Sequence, residues 1–280
     1  MQQIDGVQLR KPVMIVAFTG WNDAGESASS LVQHLLAHWD HQLIAEYDPE
    51  DYYDYQVNRP FIRSEENKER EIVWPTTRVF AALTPHLPND FLLVLGAEPS
   101  MRWQGFTSEL LDIADDYEVD LALLIGGLLA DVPHSRPIQV NVTAGNPDVA
   151  ARFDVELSTY QGATGILGVI SDQAFKRDIN TVSFWAAVPH YVSTTPSPKA
   201  TLALVESIED FLEVALPQAQ LQDLSLEWER TVDRMASEDA EVGEYVKELE
   251  KSKDESEIQE ATGDSIAKEL ERFLRRHENG

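Results

Sequence analysis

Apolar residues fall into two alternating kinds of run along this chain. Val13-Met14-Ile15-Val16-Ala17-Phe18 is unbroken, as in a strand covered on both faces, and it stops at Gly20. Ala28, Leu31, Val32, Leu35, Leu36 and Trp39 then recur at the i, i+3, i+4 spacing of an amphipathic helix. The alternation repeats. Phe91-Leu92-Leu93-Val94-Leu95 ends at Gly96 and is followed by Phe106, Leu110, Ile113 and Tyr117 on one helical stripe. Leu121-Ala122-Leu123-Leu124-Ile125 reads as a third buried strand, ended by Gly126-Gly127. Residues 138–142 predict a strand, 162–175 a helix despite their glycines, 182–188 a strand and 200–216 an amphipathic helix. Strands alternating with helices build βαβ units, so the pattern predicts an α/β fold with a mostly parallel sheet covered on both faces.

Two segments depart from this rhythm. Residues 48–75 are rich in tyrosine, then charged, then close on Ile72-Val73-Trp74-Pro75, which predicts a long excursion carrying one or two edge strands. After Pro217 glycine becomes rare and charge rises, so the chain divides into a sheet domain over 1–217 and an acidic helical appendage over 218–280. Within the appendage Leu221, Leu224, Trp228, Val232 and Met235 form one stripe. Val242, Tyr245, Val246 and Leu249 form a second, and Ile266, Leu270, Phe273 and Leu274 a third. Such narrow stripes need a partner surface, since short isolated helices are marginal in water. Residues 252–264 are charged and are expected to be loose.

Composition narrows the function classes. Against 22 Lys and Arg stand 49 Asp and Glu, a formal charge of −27, which repels nucleic acid and anionic lipid at long range. Cysteine is absent, so disulfides, thiolate nucleophiles and zinc sites built on sulfur are excluded. No run reaches the roughly 20 apolar residues of a membrane helix. The start has no basic region followed by an apolar one, so no signal peptide is expected, and the cytoplasm is the expected compartment.

In open α/β sheets, ligands bind where strand carboxyl ends meet helix amino ends. The first such turn carries Trp21 as a wall, Asn22 as a donor and Asp23 with Glu26 three residues on, which is also a capping-box pattern. It lacks the G-x-G-x-x-G of dinucleotide turns, and its carboxylates oppose phosphate. The second carries Glu98, an acid or base in principle and otherwise a loop residue beside Trp103. In the third, Gly126 and Gly127 could form a backbone nest for an anion clamped by Arg136, with His134 nearby, or could form a plain turn. Glycines at 162, 165 and 168 suggest a phosphate loop, but the P-loop Lys and Ser/Thr are missing, and close packing on a strand is the favoured reading. His34 and His38 lie at i, i+4 without the glutamate of a zinc helix, and His190 follows a strand as a loop histidine. No metal site, cofactor or assembled catalytic group emerges.

Together these turns resemble the proteasome assembly chaperone-like family of bacteria and archaea. The matching pieces are Gly20-Trp21-Asn22-Asp23-Ala24-Gly25, Val132-Pro133-His134-Ser135-Arg136-Pro137, residues 162–168, and Val188-Pro189-His190-Tyr191 followed by Pro196-Ser197-Pro198-Lys199-Ala200-Thr201. The resemblance implies a three-layer αβα fold of the phosphorylase/hydrolase kind, homo-oligomers with a trimer as the first expectation, and a role in proteasome assembly or proteostasis. Relatives that dock on a proteasome end in an apolar residue, tyrosine and one more residue. This chain ends Arg275-Arg276-His277-Glu278-Asn279-Gly280, without that motif. Two functions are therefore expected to compete: a non-catalytic protein-binding scaffold, and a phosphorylase-like enzyme or small-anion or nucleoside binder using the strand-end cleft.

Overall fold

The computed structural model describes residues 2–3, 7–64, 70–192 and 196–260. Nine strands form one sheet in the order β1-β3-β6-β7-β2-β8-β11-β9-β10. These are β1 Gln2–Gln3, β2 Val13–Thr19, β3 Asp40–Glu46, β6 Thr77–Leu83, β7 Phe91–Ala97, β8 Leu121–Ala130, β9 Val140–Ala144, β10 Glu156–Leu157 and β11 Asn180–Pro189. The four central strands β7, β2, β8 and β11 run parallel. Antiparallel pairs flank them, β6 on β7 and β9 on β11, while the edge pair β9–β10 is again parallel. The remaining strands, β4 Phe61–Arg63 and β5 Glu71–Val73, pair only with each other.

The α-helices of the described residues are α1 Ser27–His38, α2 Pro49–Tyr52, α3 Trp103–Asp116, α4 Pro147–Phe153, α5 Ile166–Phe175, α6 Pro198–Leu212, α7 Ala219–Glu238 and α8 Ala240–Glu260. Because side chains alternate across a strand, β2 supplies both layers of the core. Val13, Ile15 and Ala17 pack with Leu31, Leu35, Leu204 and Ile208 of α1 and α6. Met14, Val16 and Phe18 face Phe106, Leu110 and Ile170 of α3 and α5. The result is a three-layer αβα architecture, as the apolar pattern predicts.

Several boundaries differ from the sequence expectation. β8 does not stop at Gly126-Gly127 but continues to Ala130, pairing with β11 along its whole length. Its glycines are therefore inside a strand. Trp185 packs flat where a Gly126 side chain would stand, and a Cβ on Gly127 would lie 2.3 Å from Ser27 Oγ. The helix expected over 162–175 begins at Ile166, after an exposed loop. The excursion at 48–75 contains α2 and the separate β4–β5 hairpin, not edge strands of the main sheet. Residues 252–260, expected to be loose, belong to α8. On α7 the buried stripe is Leu221, Ser225, Trp228, Val232 and Ala236, while Leu224 and Met235 point outward. The third appendage stripe, Ile266 to Leu274, lies outside the described residues.

Candidate functional site

The turn after β2 is built to be rigid. The Asn22 carbonyl accepts the Gly127 N–H at 2.8 Å, which lays the turn alongside β8. Asp23 caps α1: its carboxylate accepts the amides of Ala28 (2.9 Å) and Ser29 (3.1 Å) and the Ser29 hydroxyl. The capping role holds, with partners deeper in the helix than the expected Glu26 amide. Burial pushes the Asp23 carboxyl above its usual range, and the Ser29 and Ala28 hydrogen bonds only partly oppose this. Gly25, in the left-handed region at φ 59°, offers its carbonyl to Ser197 N–H at 2.7 Å. Ser197 in turn begins α6, whose buried Thr201 donates to the Ser27 carbonyl at 3.3 Å.

Glu98 has the partner that the sequence did not reveal. Its Oε1 accepts Asn22 Nδ2 and the Ile166 amide, both at 2.9 Å, so one carboxylate oxygen ties the first turn to the start of α5. Gly165 makes this possible, because a Cβ there would sit 2.6 Å from the Asn22 amide and 2.8 Å from Glu98 Oε1. Asn22 is buried, whereas Trp21 beside it is 66% exposed.

The other predicted residues gather elsewhere, under the C-terminal helices. The buried His134 lies with Nδ1 2.7 Å from the Tyr191 hydroxyl, which also accepts the His134 backbone N–H at 2.8 Å. The other ring nitrogen, Nε2, lies 3.0 Å from Asp233 of α7. Arg136 makes a two-pronged contact with Asp254 of α8, at 2.8 and 2.9 Å, with Glu250 at 3.6 Å. The guanidinium holds the Asp254 carboxyl below its ordinary range. Ser135 donates to Glu250, and Lys199 bridges Glu229 of α7 and the His134 carbonyl. His190 lies 3.2 Å from Asp131, which also accepts Tyr245 of α8 at 3.2 Å. The expected clamp of Arg136 over Gly126-Gly127 is thus not formed: the guanidinium is engaged by α8, and the glycines are within β8.

Beside the first of these groups opens a cleft of about 1270 Å³, which none of the residues under the C-terminal helices lines. Trp21, Asn22 and Gly127 line one side, Asn141, Thr143, Ser183 and Trp185 the floor, and Leu157, Tyr160 and Asp172 the far wall. Leu128 and Leu129, left exposed on β8, also line it. Ending that strand at Gly126 hid both leucines from the sequence reading. Tyr160 is 69% exposed and is anchored by its hydroxyl to the Ala163 carbonyl at 2.8 Å. Among the described lining residues there is no Lys, Arg or His, while Asp23, Glu156 and Asp172 are acidic. Among the described residues no group of His, Asp or Glu could hold a metal, and no helix is long and apolar enough to cross a membrane.

A three-layer sheet with interlocked turns at its strand ends defines the class, and sequence comparison then places the chain: it belongs to the PAC2 family, whose profile matches residues 17–236. It is similar to a PAC2 family protein from Streptomyces avermitilis, at 45% identity over 84% of this chain and 99% of that one, with a TM-score of 0.77. A Mycobacterium tuberculosis proteasome-assembly chaperone homologue is similar to the same degree, 45% identical over 84% and 99%, with a TM-score of 0.76. The fold is shared with an archaeal proteasome activator from Pyrococcus furiosus, 14% identical over 84% and 97%, with a TM-score of 0.66. Among proteins of curated function, none matches the chain.

Proposed function

We propose that this protein is a non-catalytic, cytoplasmic scaffold or chaperone that acts on other proteins in proteasome assembly or proteostasis, and that it works as a homo-oligomer. The observation that carries this reading is the wiring of the strand-end residues. Asn22, Asp23 and Glu98 are spent on joining turns, and His134, Arg136 and His190 on holding or flanking the C-terminal helices. The helices they hold present exposed carboxylates Glu241, Glu244 and Glu248 at i, i+3, i+7 on one face of α8, and α7 carries exposed Leu224, Leu226 and Met235. An acidic surface with apolar points suits a basic protein partner, which charge would steer into encounter. The description of the 45% identical mycobacterial relative as a proteasome-assembly chaperone homologue supports the proteasome link. The small-anion alternative gains nothing from a cleft whose described lining carries carboxylates and no cation.

Purified proteasome subunits from the same host provide the test. Glu241→Lys with Glu244→Lys and Glu248→Lys should slow their association at least tenfold, and Arg136→Ala, which frees Asp254, should weaken it less. Equal binding by the triple variant and the parent, or micromolar binding of phosphate or a nucleoside by the parent, would sink the scaffold reading.

A further inference from the structure

Strand register lays a diagonal track across the β8-to-β10 side of the sheet. Ser183 of β11 stands opposite Thr143 of β9, and Thr143 opposite Glu156 of β10. Trp185 and Asn141 form the next pair on the same face. Leu128 of β8 shares that face, two residues beyond the Gly126 against which Trp185 packs. All six residues line the cleft. From Glu156 to Leu128 the track crosses three strand spacings and climbs four residues, roughly 20 Å, which about six residues of extended chain would span.

The middle of the track can grip a backbone. Asn141 is exposed, Thr143 and Ser183 are half-buried, and none of the three side chains has a hydrogen-bond partner among the described residues. An amide and two hydroxyls offer both donors and acceptors to peptide groups laid over them. Apolar surface comes from Leu128, Trp21, Tyr160 and Phe175, which line the cleft and are 44%, 66%, 69% and 56% exposed. Exposed apolar groups gathered in one concavity mark an interaction site. At the far end stands Glu156, exposed and without an ion pair among the described residues. The other lining carboxylates are Asp23, engaged with α1, and Asp172, paired with Lys176 one turn on, and no cation is among the described lining residues. At about 1270 Å³ the cleft exceeds the roughly 300–1,000 Å³ of small-ligand pockets and suits a length of polypeptide.

We propose that the cleft seats an extended segment of a partner protein, apolar at one end and carrying Lys or Arg at the other; the inference deepens the scaffold reading above and rests on it. Peptide groups of the segment bond to Asn141, Thr143 and Ser183, its apolar side chains cover Leu128 and the exposed rings, and its cation meets Glu156. An acidic or phosphorylated segment would bring its charge against carboxylates with no lining cation to offset it, which selects against that class.

A displayed library of random twelve-residue peptides, selected on the full-length protein, supplies the probe. The proposal expects enriched sequences that combine apolar residues with Lys or Arg. Synthesised with blocked ends, they should bind the parent by fluorescence polarisation at least tenfold more tightly than versions with every Lys and Arg replaced by Glu. Leu128→Asp should weaken binding at least tenfold, and Glu156→Lys should abolish the preference for basic over acidic peptides, with circular dichroism unchanged because both positions are exposed. No enrichment, enrichment of acidic sequences, or equal binding by Leu128→Asp would overturn the peptide seat. The variant with Glu241→Lys, Glu244→Lys and Glu248→Lys should hold the peptides as well as the parent does. Loss of peptide binding in that variant would place basic segments on the α8 face, overturning the cleft while leaving the scaffold reading intact. Peptides held in the cleft by a protein that ignores proteasome subunits would do the reverse. A drop in the mass of Leu128→Asp by light scattering would make a second copy the occupant and likewise overturn the proposal.

Discussion

A single carboxylate oxygen, Glu98 Oε1, joins two of the turns that line the cleft, and its hydrogen bonds are of the charge-assisted kind. Glu98→Ala should cost roughly 1.5–3 kcal/mol and lower the melting temperature by several degrees, because the buried Asn22 amide loses its acceptor. Glu98→Gln keeps one acceptor oxygen and should cost less; scanning calorimetry of the two variants measures the difference. A second carboxylate governs stability against acid. Burial alone would raise the Asp90 carboxyl, but hydrogen bonds from the Arg10 side chain and the Thr84 and Arg10 amides outweigh it, so the group ionises below its ordinary 3.8. A carboxylate whose folded pKa is depressed stabilises the fold above the unfolded value and loses that contribution as pH falls through the folded one. Denaturant titrations should therefore find Asp90→Asn less stable than the parent at pH 6, with the gap closing below pH 3.8.

Elements differed in how plainly the sequence announced them. Strands buried on both faces, β2, β7 and the first half of β8, are unbroken apolar runs and were legible. β3 starts with the polar Asp40, His41 and Gln42, half in solvent, and gave no such signal. Gly126-Gly127 read as a stop because paired glycines usually break a strand, yet here a ring of Trp185 and the hydroxyl of Ser27 need the space. Asn22, Asp23 and Glu98 were legible as strand-end residues, but their pairing spans 76 positions and appears only when β2 and β7 lie side by side. On α7 the helical period was clear but its phase was not, since small Ser225 and Ala236 allow the close approach that larger residues would block. That phase bears on the division at 217. Leu221 joins the main core, and Trp228 with Val232 packs on Val192 and Tyr191. A chain ending at Asp239 should melt a few degrees below the parent, because α8 brings one buried apolar side chain, Val246, and half-buried polar pairs to Ser135 and Arg136. A chain ending at Leu216 loses the buried Leu221, Trp228, Val232 and Val246, worth roughly 1.5–3 kcal/mol apiece, with the smaller Ser225 and Ala236, offset in part by the freed helices. It should unfold cooperatively but roughly 5–15 °C lower, and loss of a cooperative transition would move the boundary beyond α7.

At the scale of the whole molecule, net charge and local charge act in opposite directions. Two copies at −27 repel each other over distances that salt screens readily, since the Debye length falls from about 30 Å at 0.01 M to about 8 Å at 0.15 M. Apolar contacts between copies act over a few ångströms and are not weakened by this screening. Self-association should therefore tighten between 0.01 and 0.15 M salt, with the dissociation constant from sedimentation equilibrium falling several-fold. A basic partner approaching the α7–α8 face meets attraction at the same long range, so its association rate should fall across the same interval. The two slopes have opposite signs in one protein. Stopped-flow association and sedimentation on the same preparation separate them, and a shared sign would mean that one surface serves both contacts.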